Sequence, residues 1–360
     1  MRKLVFGLLL PFLLSVSANA ADIRTVVEQE SKALLIDQFG GSVATTTKET
    51  SQTLNIPWNQ PGVQFWLQYY KNHMNRLKLV QQAARYSVFL PYVKPILKKE
   101  GLPEVLAYLP IIESEGDPAA VSRAGAAGLW QLMPRTARLY GLRVNYYIDE
   151  RFDIEKSTRA AARYLKKLYQ IFGRWDLAIA AYNAGPGKIL SLMRRYHTDS
   201  FWDLAKLPNE TLNYVPKFYA IATLINSGQI KVASFNHKLL KVKILSKTSL
   251  YAIARKLKVR YSIIKTFNKQ YRKGIVPAYR YVYIPAFAVR NRTFLAKAKD
   301  AKIYIYRPYR TERVARIARK FGTDVHTVKK LNRIRGKYVY RGQVLIIVAY
   351  NNEVKSVVMR

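Results

Sequence analysis

The amino-acid pattern of the chain changes at Gly228, and this change limits what the chain can fold into. From residue 63 to residue 226, apolar residues recur at the three-to-four spacing of amphipathic helices, and strand patterns are nearly missing. After Gly228, strand-like apolar runs alternate with short helical patterns. A chain of 360 residues has room for two or three domains. The prediction is therefore a multidomain protein, in which an all-α domain precedes small α+β units.

An internal repeat organises the second region. The run SLYAIARKLKVRYSIIKTFN at 249–268 aligns with ERVARIARKFGTDVHTVKKLN at 312–332, and strand-like runs flank both copies. The matching positions, at a separation of 64 residues, are Ile253-Ala254 with Ile317-Ala318 and Asn268 with Asn332. Repetition on this scale is typical of small supersecondary units. We therefore predict two βααβ modules.

The predicted domain plan combines these patterns with composition. Residues 40–53 are rich in Thr, Ser and Gly, which is typical of a linker. The predicted segments are a signal peptide (1–20), an N-terminal extension and linker (21–62), the helical domain (63–228), the first module (240–286), a linker (287–301), the second module (302–350) and a tail (351–360).

The positive charge of the chain is concentrated in its C-terminal third. The formal net charge is +39, and residues 231–360 contain 33 Lys and Arg against 4 Asp and Glu, a net charge of +29. A field of this sign and asymmetry favours a polyanionic partner. The candidates are nucleic acid, an anionic membrane and an anionic wall polymer.

The N-terminal residues select among these partners. Arg2 and Lys3 precede an apolar run at 4–16, and the small-x-small sequence Ala18-Asn19-Ala20 follows. This order is typical of a secretory signal peptide that is cleaved after Ala20. An uncleaved N-terminal anchor is the alternative, although the run is shorter than the roughly 20 residues of a transmembrane helix. Export disfavours nucleic acid and favours a wall polymer, so we expect a periplasmic, wall-associated protein.

The metal-binding and redox chemistries have little support in the sequence. The chain has no cysteine, which excludes disulfides, thiol catalysis and lipid attachment through a cysteine. Its four histidines are scattered and none forms an H-x-x-x-H pair. We therefore predict no metal and no cofactor, and the protein is not expected to be a lipoprotein.

Glu113 is the first candidate for catalysis. It follows Leu109 by four residues, so both lie on one face of a predicted helix that begins at Pro103 and is kinked by Pro110. Apolar surroundings and the negative end of a helix both raise the pKa of a carboxyl group. A raised pKa suits a general acid near neutral pH. An ordinary solvated glutamate at a helix end is the alternative.

Glu115 and Asp117 are the competing carboxylates. Continued as a helix, the chain would place Glu115 on the side opposite Glu113. Two carboxylates so close in sequence do not easily flank a sugar ring from both sides, as most glycosidases require. We interpret Glu115 and Asp117 as solvated turn residues, which leaves Glu113 without a carboxylate partner.

Three further clusters carry side chains suited to binding sugars. Trp and Tyr rings stack on sugar faces, and amides bind sugar hydroxyl and N-acetyl groups. For each cluster, packing in the core or helix capping is the alternative. The clusters are Trp130 with Gln131, Tyr182 with Asn183, and Glu210 with Tyr214.

The combination of these clusters resembles the lytic murein transglycosylases of the goose-type lysozyme superfamily. The resemblance covers about residues 60–227. The matching motifs are Glu113-Ser114, SRAGAAGLWQ at 122–131, Met133-Pro134 with Thr136-Ala137, Tyr140-Gly141-Leu142, AYNAG at 181–185 and LPNETLNYVP at 207–216. The resemblance implies a lysozyme-like helical fold and an enzyme that cleaves peptidoglycan with formation of 1,6-anhydro ends. A water-using muramidase and a non-catalytic wall-binding protein are the alternatives.

The resemblance also implies the site residues and the partners. Glu113 becomes the single catalytic acid and base. The repeats resemble LysM peptidoglycan-binding modules, although Lys247-Thr248-Ser249 and Arg310-Thr311-Glu312 replace the usual Asp-Thr-Leu opening. The resemblance implies glycan strands as the partner. The basic C-terminal region adds an anionic wall polymer, and we also expect peripheral membrane contact and a monomer. The implied substrate-site residues are Ser122, Trp130, Gln131, Tyr182, Asn183, Glu210 and Tyr214.

Overall fold

The computed structural model describes residues 54–204, 207–230, 239–286 and 302–349. The predicted signal peptide, the linker at 287–301 and the tail lie outside these residues. Within the described ranges, no helix is long and apolar enough to cross a membrane. The helices of the first part are α1 Pro61–Tyr69, α2 His73–Ser87, α3 Leu90–Lys99, α4 Leu109–Glu113, α5 Pro134–Leu139, α6 Ile154–Phe172, α7 Trp175–Ala184, α8 Pro186–Tyr196 and α9 Asn209–Asn226.

Helix α7 forms the centre of the helical part. Its residues 177–181 (LAIAA) are fully buried, and α6, α8 and α9 pack around it. A helix that is apolar on all sides is stable only in the interior. Its small alanines allow the neighbouring helices to approach closely. Gly173 and Gly185 stand at its two ends with φ of 68° and 88°, a conformation that favours glycine.

Two details of the helical part differ from the prediction. The apolar spacing at 63–87 predicts one helix, but the structure has two, α1 and α2. Asn72 accepts hydrogen bonds from the backbone of Met74 and Asn75 and thereby starts a new helix. At the predicted kink near Pro110 the helix changes from the 3₁₀ to the α type. A 3₁₀ helix, Glu104–Tyr108, precedes α4, and Pro110 lies in the first turn of α4, where its missing N–H costs nothing.

The second part contains both repeats. Its elements are β1 Leu239–Ile244, β2 Thr248–Ser249, α10 Leu250–Leu257, α11 Tyr261–Thr266, β3 Ile275–Val276, β4 Tyr281–Pro285, β5 Lys302–Tyr306, β6 Glu312–Arg313, α12 Val314–Lys320, α13 Val325–Asn332, β7 Tyr338–Val339 and β8 Leu345–Ala349. The predicted strand–helix–helix–strand order is confirmed in both copies.

The two modules are fused through one sheet. The strand order is β4-β1-β5-β8, and β1 of the first module pairs in parallel with β5 of the second. Ile303 and Ile305 of β5 belong to the core of the first module's helices, whereas Tyr304 and Tyr306 belong to the core of the second module's helices. Since alternate residues of a strand face opposite sides, the two helix pairs cover opposite faces of the shared sheet.

Asn268 and Asn332 explain why the repeat preserves an asparagine. The Asn268 amide donates to the carbonyls of Ile264 and Tyr283 and accepts from the Tyr283 backbone. Asn332 makes the equivalent bonds to Val328 and Ile346. Each buried amide therefore joins the second helix of its module to the last strand.

Candidate active site

Glu113 is the last residue of the short helix α4. Beyond it the chain turns sharply, because the Pro110 carbonyl accepts hydrogen bonds from the backbone N–H groups of Ser114 and Gly116. Gly116 has a φ of 73°, and a Cβ there would lie 2.8 Å from the Cβ of Tyr86. This turn fixes the position at which the Glu113 side chain leaves the helix.

The surroundings of Glu113 favour its protonated form. Burial raises its pKa to about 7, a hydrogen bond from Tyr214 opposes this rise, and the nearby charge of Glu210 adds to it. The Tyr214 hydroxyl donates to Oε1 of Glu113, although the two residues are 101 positions apart. The predicted direction of the shift is therefore confirmed, with burial as its main cause.

Glu115 and Asp117 lie in the turn, as predicted. Glu115 is exposed and its carboxylate lies 3.2 Å from the ammonium group of Lys78. Burial alone would raise the pKa of Glu115, but the hydrogen bond and the charge of Lys78 hold it below its ordinary value. The Asp117 carboxylate accepts from the backbone of Ala119 at 2.8 Å. The charge of Lys78 therefore favours the ionised form of Glu115, whereas burial disfavours the ionised form of Glu113.

A tightly folded loop, residues 119–132, follows this turn. Gly128 has a φ of 78°, and a Cβ there would lie 2.1 Å from the carbonyl oxygen of Arg151, so only glycine fits. The Gln131 amide donates to the Gly128 carbonyl at 2.7 Å. Ser122 is exposed, and its hydroxyl accepts from the backbone of Ala126 at 3.0 Å. The loop places Ser122 and Gln131 by means of its own hydrogen bonds.

A buried ion pair that the sequence did not suggest supports this loop. The guanidinium group of Arg151 binds both carboxylate oxygens of Asp149, at 2.9 and 2.8 Å. It also donates to the carbonyls of Gly125 and Leu132, at 2.6 and 3.1 Å. Asp149 and Arg151 are 0% and 6% exposed. A buried pair of this kind is costly to break on one side, so it fixes the course of the loop.

The predicted role of Trp130 in lining the groove is wrong. Its side chain is fully buried and its indole N–H donates to the hydroxyl of Thr158 at 2.9 Å. The indole is therefore core, the alternative that the sequence left open. Its backbone carbonyl does contribute to the site, because it accepts a hydrogen bond from the Tyr182 hydroxyl at 2.7 Å.

The two remaining clusters meet beside Glu113. Asn183 at the end of α7 accepts from the Thr211 hydroxyl at 2.8 Å and donates to the Glu210 carboxylate at 3.3 Å, which joins α7 to α9. The charge of Glu113 contributes to raising the pKa of Tyr182, after burial. The structure thus brings Glu113, Tyr182, Asn183, Glu210 and Tyr214 into one site.

Aromatic rings extend the site along α6 and α7. The rings of Tyr140 and Tyr164 lie 5.3 Å apart, and those of Tyr164 and Tyr182 are also separated by 5.3 Å. All three side chains are partly exposed. A row of rings next to a protonated carboxyl group is an arrangement that suits the cleavage of a sugar polymer. Among the described residues, no group of His, Asp and Glu could hold a metal ion.

Comparison with known protein families agrees with this arrangement. The transglycosylase SLT domain matches residues 92–204, and the LysM domain matches residues 314–348. The first match spans Glu113, the loop and α7, and the second covers most of the second module. The chain therefore contains a transglycosylase SLT domain followed by a LysM domain, which confirms the resemblance and the predicted fold class.

Two known proteins and one solved structure illustrate the similarity. Membrane-bound lytic murein transglycosylase D of Escherichia coli is 30% identical over 299 residues, which cover 76% of this chain and 66% of that protein. A protein of Alteromonas sp. named for tributyltin chloride resistance is 37% identical over 126 residues, 34% of this chain and 61% of its own. A crystal structure of an inactive mutant of the lytic transglycosylase Slt from Pseudomonas aeruginosa is 26% identical and covers 39% of this chain and 24% of that chain, with a TM-score of 0.33. The chain spans just under two thirds of the length of the first of these relatives.

Proposed function

We propose that this protein is an exported peptidoglycan lytic transglycosylase. Its substrate is the β-1,4 bond between N-acetylmuramic acid and N-acetylglucosamine, and its product is a 1,6-anhydromuramic acid end. The observation that supports this proposal most directly is the position of Glu113, whose pKa is raised to about 7 by burial at the meeting point of α4, α7 and α9. The matches to the SLT and LysM domains point to the same substrate.

In the first step Glu113 acts as the general acid. Tyr214 donates to Oε1, so Oε2 is the oxygen that carries the proton to the glycosidic oxygen. The bond between C1 of the muramic acid and that oxygen breaks, and the N-acetylglucosamine side leaves with the proton. The positive charge at C1 is stabilised by the carbonyl oxygen of the substrate's own N-acetyl group.

In the second step the ionised Glu113 acts as the general base. It accepts the proton from the C6 hydroxyl of the same muramic acid, and O6 then bonds to C1. Glu113 returns to its protonated form and no water is consumed. An intramolecular nucleophile is already held close to its target, so this route does not require a second carboxylate to activate water.

The other site residues hold and orient the glycan. Ser122, Gln131 and Asn183 carry hydroxyl and amide groups suited to sugar hydroxyls and N-acetyl groups, and the ring of Tyr182 forms a wall beside Glu113. Glu210 is exposed and is held by Asn183, so it can accept hydrogen bonds from the sugar. The basic modules concentrate the enzyme on a wall polymer that carries carboxylates.

Product analysis tests this proposal. Purified sacculi are digested with the full chain, with Glu113→Gln and with Glu115→Gln as a matched control, and the products are analysed by mass spectrometry. We expect anhydro ends from the wild type and from Glu115→Gln, and no cleavage by Glu113→Gln. Unchanged activity in Glu113→Gln would exclude this residue as the acid.

A second candidate is a muramidase that uses water. The observation in its favour is Glu210, which is close enough for its charge to raise the pKa of Glu113 and could serve as the base for a water molecule. This candidate predicts reducing ends instead of anhydro ends. It also predicts that Glu210→Gln abolishes cleavage, whereas the transglycosylase route requires Glu210 only for binding.

A further inference from the structure

The first βααβ module is docked directly on the helical part, next to the loop at 119–132. Backbone hydrogen bonds join the two parts: the Asp149 N–H donates to the Gln270 carbonyl and the Arg272 N–H donates to the Tyr147 carbonyl, both at 3.0 Å. Ile148 and Tyr271 form a β-bridge between these bonds. Such pairing fixes one register, so the module is held as an extension of the catalytic fold.

Apolar contacts complete the docking. The Phe267 ring lies 5.9 Å from the ring of Phe89, and the Tyr283 ring, which is almost fully buried, lies 5.9 Å from that of Tyr92. The Tyr92 hydroxyl donates to the carbonyl of Leu239. Tyr283 and Leu239 thus belong to the core of the helical part rather than to that of their own module.

Lys269 connects this interface to the catalytic loop. Its ammonium group donates to the carbonyl of Ala119 at 2.6 Å and lies 4.8 Å from the centre of the Phe152 ring. The next carbonyl, that of Ala120, accepts the Gly128 N–H at 2.9 Å. At the start of the loop, the Ala119 carbonyl is therefore hydrogen-bonded to the module, and the Ala120 carbonyl is hydrogen-bonded to Gly128, the residue that admits no side chain.

A second connection reaches the same loop through Asp149. The Gln270 carbonyl accepts a hydrogen bond from the backbone N–H of Asp149. The Asp149 carboxylate in turn accepts hydrogen bonds from the guanidinium group of Arg151. That guanidinium group binds the carbonyls of Gly125 and Leu132. Both ends of the segment with Ser122 and Gln131 are thus fixed by contacts that begin in the first module.

We propose that Lys269 is a positioning residue for the reaction, and that the first module is a part of the active site's framework. This inference rests on the proposed function, and it adds that catalysis depends on a residue outside the matched SLT domain. Lys269 acts through the 119–132 loop, which it holds beside Glu113. A module that served only to bind the wall would not need these contacts.

The test uses variants of the full chain. Lys269→Met removes the ammonium group and keeps the length of the side chain, and Lys269→Arg restores a donor. Lys241→Met is the matched control, because Lys241 also joins the first module to the helical part, through Glu155 at 2.5 Å in α6, but does not reach the loop. Hydrogen exchange of the 119–132 segment, kcat and KM on soluble glycan chains, and thermal unfolding are measured for each.

We expect Lys269→Met to speed exchange of the loop amides about tenfold and to lower kcat about tenfold because the site is less well ordered. Lys269→Arg should recover both, and Lys241→Met should change neither. Wild-type exchange or wild-type kcat in Lys269→Met would overturn the proposal. Equal effects in Lys241→Met would also overturn it, because they would indicate general loosening of the interface.

The failure of the proposed function gives a different result. A muramidase would release products with reducing ends, and kcat would still test Lys269. A chain without glycan-cleaving activity would release no products, and hydrogen exchange alone would then test Lys269. Faster exchange of the 119–132 amides in Lys269→Met alone would still support the proposal that Lys269 orders this loop. Unchanged exchange would refute it independently of any activity.

Discussion

Replacing Glu113 by glutamine should change the pH dependence of folding in a way that measures the state of this carboxyl group. Glutamine resembles the protonated glutamic acid and can still accept the hydrogen bond from Tyr214. Because the pKa of Glu113 is raised from 4.5 to about 7 by burial, the folded chain holds this proton more tightly than the unfolded chain. The stability that Glu113 contributes is therefore present below pH 4.5 and is lost as the pH rises through 7.

The size of the effect follows from the shift. Each pKa unit corresponds to about 1.36 kcal/mol, so a rise from 4.5 to about 7 gives roughly 3 kcal/mol. At pH 4 the wild type and Glu113→Gln should be nearly equal in stability. At pH 8.5 the variant should be more stable than the wild type by about 3 kcal/mol.

The free energy of unfolding is measured by urea denaturation at pH 4, 5.5, 7 and 8.5 and constant ionic strength. Only the difference between the two proteins is used, which cancels the contribution of the other charges. Glu115→Gln is the control, because its effect on stability should have the opposite sign. The charge of Lys78 stabilises the ionised form of Glu115, so this variant should be slightly less stable than the wild type above pH 4.5. A difference for Glu113→Gln that stays constant from pH 4 to pH 8.5 would refute the raised pKa.

Further predictions concern the neighbours of Glu113. Tyr214→Phe removes a hydrogen bond that lowers the pKa of Glu113, so the alkaline limb of the kcat/KM profile should move to higher pH; an unchanged limb would contradict this. Gly128→Ala places a Cβ 2.1 Å from the Arg151 carbonyl at a φ of 78° and should cost at least about 2 kcal/mol in urea denaturation, whereas unchanged stability would mean that the loop can shift. Arg151→Met leaves the buried Asp149 with only the more distant guanidinium group of Arg272, at 3.9 Å, and should cost about 3–5 kcal/mol by the same assay; a loss below 1 kcal/mol would show that the pair is not required.

The sequence predicted those elements whose boundaries have a local physical cause. The boundary between helices α7 and α8 has such a cause, because Gly185, which adopts a positive φ, separates them. The prediction of one helix from Pro103 to Glu113 was wrong, because its first half is a 3₁₀ helix. Whether the chain before Pro110 forms 3₁₀ or α turns depends on packing, which the local sequence does not reveal.

The site was predicted as far as local chemistry determines it. An apolar run that ends in a carboxylate at a helix end was sufficient to find Glu113 and the direction of its pKa shift. The ion pair of Asp149 and Arg151 was not found, because two charges separated by one residue usually lie at the surface. Trp130 was misplaced for a related reason: a tryptophan suits both a sugar wall and a core, and only its bond to Thr158 distinguishes them.

The sequence did not predict how the modules are arranged relative to each other. The pairing of β1 with β5 fuses them, and the docking of Tyr283 joins the first module to the helical part. This arrangement changes what wall binding can do. On a flexible linker, a bound module only raises the local concentration of substrate. On a docked module, the proposed wall binding would place a glycan strand at a fixed angle to Glu113, and binding would then also select which bond is cleaved.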